Sequence, residues 1–223
     1  MANYLQKLLS AKLKPLHSAK DVQDEWRTPD LEFLGIQEVF APTANGFSID
    51  LFTDGKINSK CENFFTAKDN ALNQDWFKHC KENGIAPVGF ANPPFSKEHV
   101  GRLDDGTSCT GLHKIMKKAY IEMKLGFHSV WFVPSNFEAG WFPHKNSEFA
   151  ATEIHKLTDG RITFDTPEWY RQDPEGSKPT SSPGGMCVII FNPHHSGNQI
   201  DDVISRDYLR EIGQQILDSK EAA

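Results

Sequence analysis

A chain of 223 residues, 38% hydrophobic and 24% charged, has the composition of an ordinary globular protein with room for one domain and an insertion. Its apolar runs, such as Val130-Trp131-Phe132-Val133, are far shorter than the roughly 20 residues of a membrane span, and no secretory pattern opens the chain, so a cytoplasmic protein without membrane contact is expected. A formal charge of −6 excludes a protein that coats nucleic acid by bulk attraction, although a local basic face still suffices for phosphate contacts.

Residues 1–25 are polar and lysine-rich around Leu5, Leu8 and Leu9, and read as a small helix followed by a mobile lead-in. The domain is expected to run from Trp26 to the end, 26–223. Thr28-Pro29-Asp30 is a helix start, and apolar spacing predicts a helix over Leu31–Phe40. Phe47–Phe52 alternates and predicts a strand ending near Asp50. A second helix is predicted over Asn70–Lys81, and a short apolar strand over Pro87–Ala91 that runs into Asn92-Pro93-Pro94-Phe95.

Residues 96–110 are rich in glycine and charge and read as a loop insertion. Gly111–Leu125 is amphipathic, with Leu112, Ile115, Met116, Ala119 and Met123 on one face. Lys114, Lys117, Lys118 and Lys124 fall outside that set, as a solvated surface or as phosphate contacts. His128–Val133 predicts a strand closed by Pro134. A second loop insertion spans about 166–185, followed by a strand over Met186–Phe191 and a helix over Asp202–Leu217. Strands alternating with helices, then a late pair of strands, indicate an α/β fold with a mostly parallel sheet. In such sheets ligands bind at the carboxyl ends of the strands, where Asp50 and Asn92 are expected.

The four cysteines are scattered without a C-x-x-C pair, which favours idle thiols over disulfides or zinc. His194-His195 reads as a solvated loop, and no metal is expected. Trp141 and Phe142 suit either a local packing cluster or a wedge contacting DNA.

Asn92-Pro93-Pro94-Phe95 carries the most chemistry. Two prolines fix φ and remove two N–H donors, so the turn presents carbonyl acceptors. Asn92 adds a side-chain acceptor and Phe95 a flat apolar surface. Two acceptors beside a stacking ring suit a planar base with an exocyclic amine. Hydrogen bonds from both N–H groups to Asn92 Oδ1 and the Pro93 carbonyl would favour a nucleophilic nitrogen, aligned to attack a sulfonium methyl.

These residues and their neighbours resemble the phage-encoded DNA N6-adenine methyltransferases, the phage Dam-type family. Asn92-Pro93-Pro94-Phe95-Ser96 matches its D/N/S-P-P-Y/F/W motif, and Trp26-x-Thr28-Pro29 its W-x-T-P opening. Phe47-x-x-Asp50, Phe64-Phe65-Thr66 with Asp69 and Leu72, and Asp75-Trp76 follow in order. Gly160-Arg161-Ile162-x-Phe164 and Gly185-Met186-x-x-Ile189-Ile190-Phe191 close the match, which covers roughly residues 24–192. The resemblance implies a Rossmann-like methyltransferase fold with a late antiparallel strand pair, S-adenosylmethionine as cofactor, and DNA as partner, with the target adenine flipped out of the duplex.

It also implies catalytic roles for Asn92, Pro93, Pro94 and Phe95, and cofactor contacts from Thr28, Pro29, Asp50 and Asp69. Asp50 would serve the methionine end and Asp69 the adenine amine. Plain surface carboxylates are the alternative for both, and Glu62 is a weaker candidate for the ribose. The chain departs from the pattern at the glycine-rich loop D-x-F-x-G-x-G, where Asp50-Leu51-Phe52-Thr53-Asp54-Gly55 retains only Gly55. Glutamine methylation in proteins, N4-cytosine methylation and a binding module with a decayed cofactor site are the competing readings.

Overall fold

The computed structural model describes residues 4–22, 24–95, 101–102, 108–109, 111–175, 182 and 184–222. In chain order it contains α1 (Tyr4–Lys12), α2 (Ala19–Val22), α3 (Asp30–Phe40), β1 (Ile49–Thr53), β2 (Asn63–Thr66), α4 (Trp76–Glu82) and β3 (Val88–Ala91). A two-residue hairpin follows, β4 (Gly101–Arg102) and β5 (Ser108–Cys109). The chain continues through α5 (Gly111–Leu125), β6 (His128–Pro134), β7 (Glu153–Thr158), β8 (Met186–Phe191), β9 (Ile200–Ser205) and α6 (Arg206–Glu221). The rest of the 96–110 insertion and the greater part of 176–183 lie outside the described residues.

Seven strands form one sheet in the order β2-β1-β3-β6-β8-β7-β9. Every neighbour pair is parallel except β6–β8 and β7–β8, so β8 alone runs against the others. This is the mixed, mostly parallel sheet of a Rossmann-like methyltransferase fold. The expected late antiparallel pairing is made by β8, a reversed strand held between β6 and β7.

Strand periodicity divides the core into two clusters. Val88 and Phe90 of β3, Val130 and Phe132 of β6, and Val188 and Ile190 of β8 pack with Phe33, Ile36 and Leu209. Ala91, Trp131, Val133, Ile189 and Phe191 pack with Trp76, Ile115 and Met116 from α4 and α5. Strands covered on both faces need apolar residues at every position, which is why β6 and β8 read as unbroken runs.

On the first face, α3 and α6 are bound closely. Ideal Cβ atoms on Gly35 and Gly213 would lie 2.1 Å from the Leu209 carbonyl oxygen and 2.2 Å from the Leu31 oxygen, so only glycine allows this approach. Glu32, wholly buried, accepts from Arg206 Nε at 3.0 Å and Arg210 Nη1 at 2.9 Å.

Several elements differ from their sequence expectation. The helix expected over Asn70–Lys81 is a 3-10 turn (Ala71–Asn73) followed by α4, because Asp75 caps α4 by accepting from Lys78 N at 2.9 Å. Arg161–Phe164 lies between β7 and β8 as irregular chain, with Ile162 and Phe164 buried. The strand β7 lies earlier, and β9 occupies residues expected to begin the last helix. Ser205 starts that helix instead, accepting from Tyr208 N at 3.1 Å. Among the described residues before Trp26, Leu8, His17 and Val22 are buried, and His17 exchanges backbone hydrogen bonds with the segment at Arg171–Asp173. No described helix is long and apolar enough to cross a membrane.

Candidate active site

The chain leaves β1 for β2 on one side and returns as β3 on the other. The carboxyl ends of β1 and β3 therefore face a switch point, the place where open α/β sheets bind ligands. A cavity of about 800 Å³ opens there, large enough for a nucleoside-sized cofactor and more. Its walls come from the segment 24–28, from β1 and the loop after it, and from the end of β2. The segment from Phe90 to Pro94 and the face of α5 bearing Lys114, Lys117 and Lys118 complete them.

Two motifs 66 residues apart meet in this wall. Asn92 Nδ2 donates to the Trp26 carbonyl at 2.9 Å. That bond fixes which way the amide points and leaves Oδ1 as its remaining acceptor. Below it, the Phe95 N–H donates to Asp24 Oδ1 at 3.1 Å, tying the turn to the same segment. Pro93 is buried, and Asn92 and Pro94 line the cavity. Phe95 does not line it: its half-buried ring packs against both core clusters.

Thr28 lies in the wall, 2% exposed, and its Oγ1 has no protein partner among the described residues. Pro29 precedes the first residue of α3 and lies outside the lining. Asp50 lies in the wall but within β1, not at its end. Its Oδ1 accepts from Phe52 N at 3.3 Å and its Oδ2 from Lys60 N at 3.0 Å, so it staples the loop that stands in place of the glycine-rich one. Burial pushes the Asp50 carboxyl up to about 7 against these bonds.

Asp69 is not in the cavity lining. Its carboxylate accepts from Thr66 N at 2.8 Å and Thr66 Oγ1 at 2.6 Å, bonds that hold it below the usual carboxylate range. The adjacent Asn70 lines the cavity instead, in a left-handed conformation with φ 53°. Asparagine is enriched in that conformation, which is the signal that could have singled it out. Glu62 is exposed and precedes β2, at the end of the strand away from the cavity. Trp141 and Phe142 are buried, with Phe142 edge-on to Phe137 at 4.8 Å, so they form a packing cluster and not an exposed wedge.

A family profile described as DNA N-6-adenine-methyltransferase (Dam) matches residues 16–216. The chain belongs to that family. A relative from Escherichia coli (strain K12), named "Putative methyltransferase YfdM", is 46% identical over 92 residues, which cover 41% of this chain and 93% of the relative. No solved structure matches.

Membership in the Dam family makes methyl transfer the chemistry to be read from this cavity. Its wall includes a charged network absent from the sequence reading. Lys12 Nζ lies 2.8 Å from Glu25 Oε1 and 3.4 Å from Asp54 Oδ2. Asp54 also accepts from Trp169 Nε1 at 3.0 Å and from Asn58 Nδ2. Burial outweighs Lys12 at Glu25 and pushes that carboxyl up to about 7. Four residues that line this Dam-family cavity each carry a buried polar atom without a protein partner among the described residues: Glu25 Oε2, Arg27 Nε, Thr28 Oγ1 and Asn58 Oδ1. Buried polar groups are rarely left unpaired, so this group of orphans suits a ligand with both donors and acceptors.

Proposed function

We propose that the chain is a DNA adenine N6-methyltransferase that uses S-adenosylmethionine and acts in the cytoplasm of a bacterial host. The observation that carries this reading is the Asn92 amide, held by the Trp26 carbonyl in the cavity wall with Oδ1 left to accept. The orphaned donors and acceptors around the cavity fit a zwitterionic nucleoside such as S-adenosylmethionine. When bound, that cofactor supplies an electrophilic methyl group on sulfur.

The protein's part is to present the amine. Asn92 Oδ1 and the Pro93 carbonyl accept the two N6–H bonds, which turns the nitrogen lone pair out of the ring plane and toward the methyl. Transfer of the methyl to nitrogen would leave the sulfur as a neutral thioether, and the amine held by Asn92 Oδ1 and the Pro93 carbonyl would release one proton to solvent. Preorganised acceptors of this kind need no reorganisation during reaction. An adenine reaches this depth only outside the base stack, at a cost of a few kcal/mol. The exposed Lys114 and Lys117 at the cavity wall would meet backbone phosphates. Their positive charge is local to α5, consistent with a chain whose overall charge is −6.

The test is incubation with tritiated S-adenosylmethionine and unmethylated DNA, followed by nucleoside analysis. Label in N6-methyldeoxyadenosine supports the proposal. Label in N4-methylcytosine, label in protein glutamine, or no transfer despite cofactor binding refutes it.

A further inference from the structure

We propose that Glu25 and Asn58 form the receptor for the ammonium of the cofactor's amino-acid end, with Arg27 and Thr28 facing its carboxylate. The inference rests on the methyl-donor reading above and assigns residues to one part of that ligand.

Each of the two receptor side chains lines the cavity, is held by one atom, and has no partner at the other among the described residues. Lys12 occupies Glu25 Oε1 at 2.8 Å, and Glu25 Oε2 is buried without a partner. Asp54 accepts from Asn58 Nδ2, and Asn58 Oδ1 is likewise buried and alone, on a residue only 9% exposed. The same Lys12 links Glu25 to Asp54, so both orphans belong to one connected, preorganised network. Asp54 itself is committed to Lys12, Asn58 and Trp169. The acceptors left to a ligand are therefore a carboxylate oxygen and an amide oxygen.

A carboxylate deep in a wall calls for a cationic donor more than for a hydroxyl or a neutral amine, because charge-assisted bonds compensate burial better. The two orphaned donors, Arg27 Nε and Thr28 Oγ1, lie in the same wall and suit an anion. Adjacent cation and anion receptors match an α-amino acid head group. Asn58 sits in the loop where related enzymes place glycines and let backbone approach the ligand. Here side-chain acceptors take over that contact.

The test measures binding, not turnover, by calorimetry on the full chain with two probes. S-Adenosylhomocysteine carries the amino-acid head, and 5′-methylthioadenosine keeps the nucleoside and sulfur but lacks that head. Wild type should bind the first more tightly. Glu25→Gln and Asn58→Ala should each weaken S-adenosylhomocysteine by about 10- to 150-fold, the range of one hydrogen bond to a charged group, and leave 5′-methylthioadenosine unchanged. Glu25→Gln is isosteric and keeps an acceptor for Lys12, so it carries the test if Asn58→Ala fails to fold. Unchanged S-adenosylhomocysteine affinity in a folded variant overturns the inference, as does equal loss of both probes. Failure of wild type to bind either probe overturns the methyl-donor reading itself, and this inference with it.

Discussion

Replacing Asn92 with alanine separates catalysis from architecture, because the side chain does one thing on each side. Nδ2 makes one 2.9 Å bond to the Trp26 carbonyl, and the residue is half-buried, so stability should fall by about 1 kcal/mol. For a domain of this size that is a drop of roughly 2–4 °C in melting temperature. On the substrate side, losing a preorganised polar contact costs about 100- to 1000-fold in rate. Cofactor affinity should stay nearly unchanged, because the acceptor is assigned to the target amine alone. The assay is single-turnover transfer of tritium to DNA at saturating cofactor, beside a thermal melt and a calorimetric titration with S-adenosylhomocysteine. Transfer at the wild-type rate refutes the assignment. So does a large loss of cofactor affinity with little loss of rate, which would make Asn92 a support for the segment around Thr28.

Asp50→Ala should destabilise the chain by about 2–6 kcal/mol, since Phe52 N–H and Lys60 N–H lose their acceptor, and should weaken S-adenosylhomocysteine. Asp69→Ala should leave that affinity unchanged, because its bonds close an exposed turn at Thr66; equal ligand binding by the two variants in calorimetry counts against this placement. Glu32→Ala should cost about 3 kcal/mol by removing the buried partner of Arg206 and Arg210, read as a lower urea midpoint at unchanged slope. Gly213→Ala should cost about 1–3 kcal/mol or more by forcing α6 from the Leu31 carbonyl, and a melt equal to wild type would contradict the close packing. Burial raises the Glu25 carboxyl from 4.5 to about 7, so its stabilising contribution is complete below about 4.5 and is lost as pH rises through 7. Glu25→Gln should therefore flatten the fall in melting temperature between about pH 5 and 8; an identical profile would show that Glu25 stays ionised throughout.

Much of the central sheet was legible because its strands are buried on both faces. Val88–Ala91, His128–Val133 and Met186–Phe191 are short apolar runs, and two prolines mark the end of the first. The amphipathic pattern of α5 was equally plain, since its apolar residues are the ones that meet the sheet. By contrast, β9 is the edge strand with β7 next to it, and the two carry Glu153, His155, Lys156, Asp201 and Asp202. They are strands because they pair, not because their residues prefer it. The turn at Asn92-Pro93-Pro94-Phe95 was legible for a local reason: proline geometry is written in adjacent residues. The Lys12–Glu25–Asp54–Trp169 network is not local. Lys12 and Asp54 are 42 residues apart and Trp169 a further 115 beyond Asp54, so no spacing rule joins them. The position of Asp69 outside the lining was hidden for a similar reason, because composition cannot tell a carboxylate closing its own turn from one facing a ligand.

The loss of the glycine-rich loop is best understood through Asp50. Glycines let backbone N–H groups approach a ligand closely, and their cost is conformational entropy in the unfolded chain. In this chain the loop after β1 is closed by a buried carboxylate that accepts two of its own backbone N–H groups, at Phe52 and Lys60. Those donors are thereby withdrawn from any ligand. In the proposed assignment recognition draws on side chains around the cavity, where Glu25, Arg27, Thr28 and Asn58 each carry a buried side-chain atom without a partner among the described residues. Two consequences follow from that exchange. On the proposed assignment the ligand contacts would depend on residues before α3 and, through Lys12, on α1, so the N-terminal segment would belong to the binding site and not only to the scaffold. Selectivity also shifts, because a carboxylate and a guanidinium distinguish charged head groups more sharply than backbone amides do.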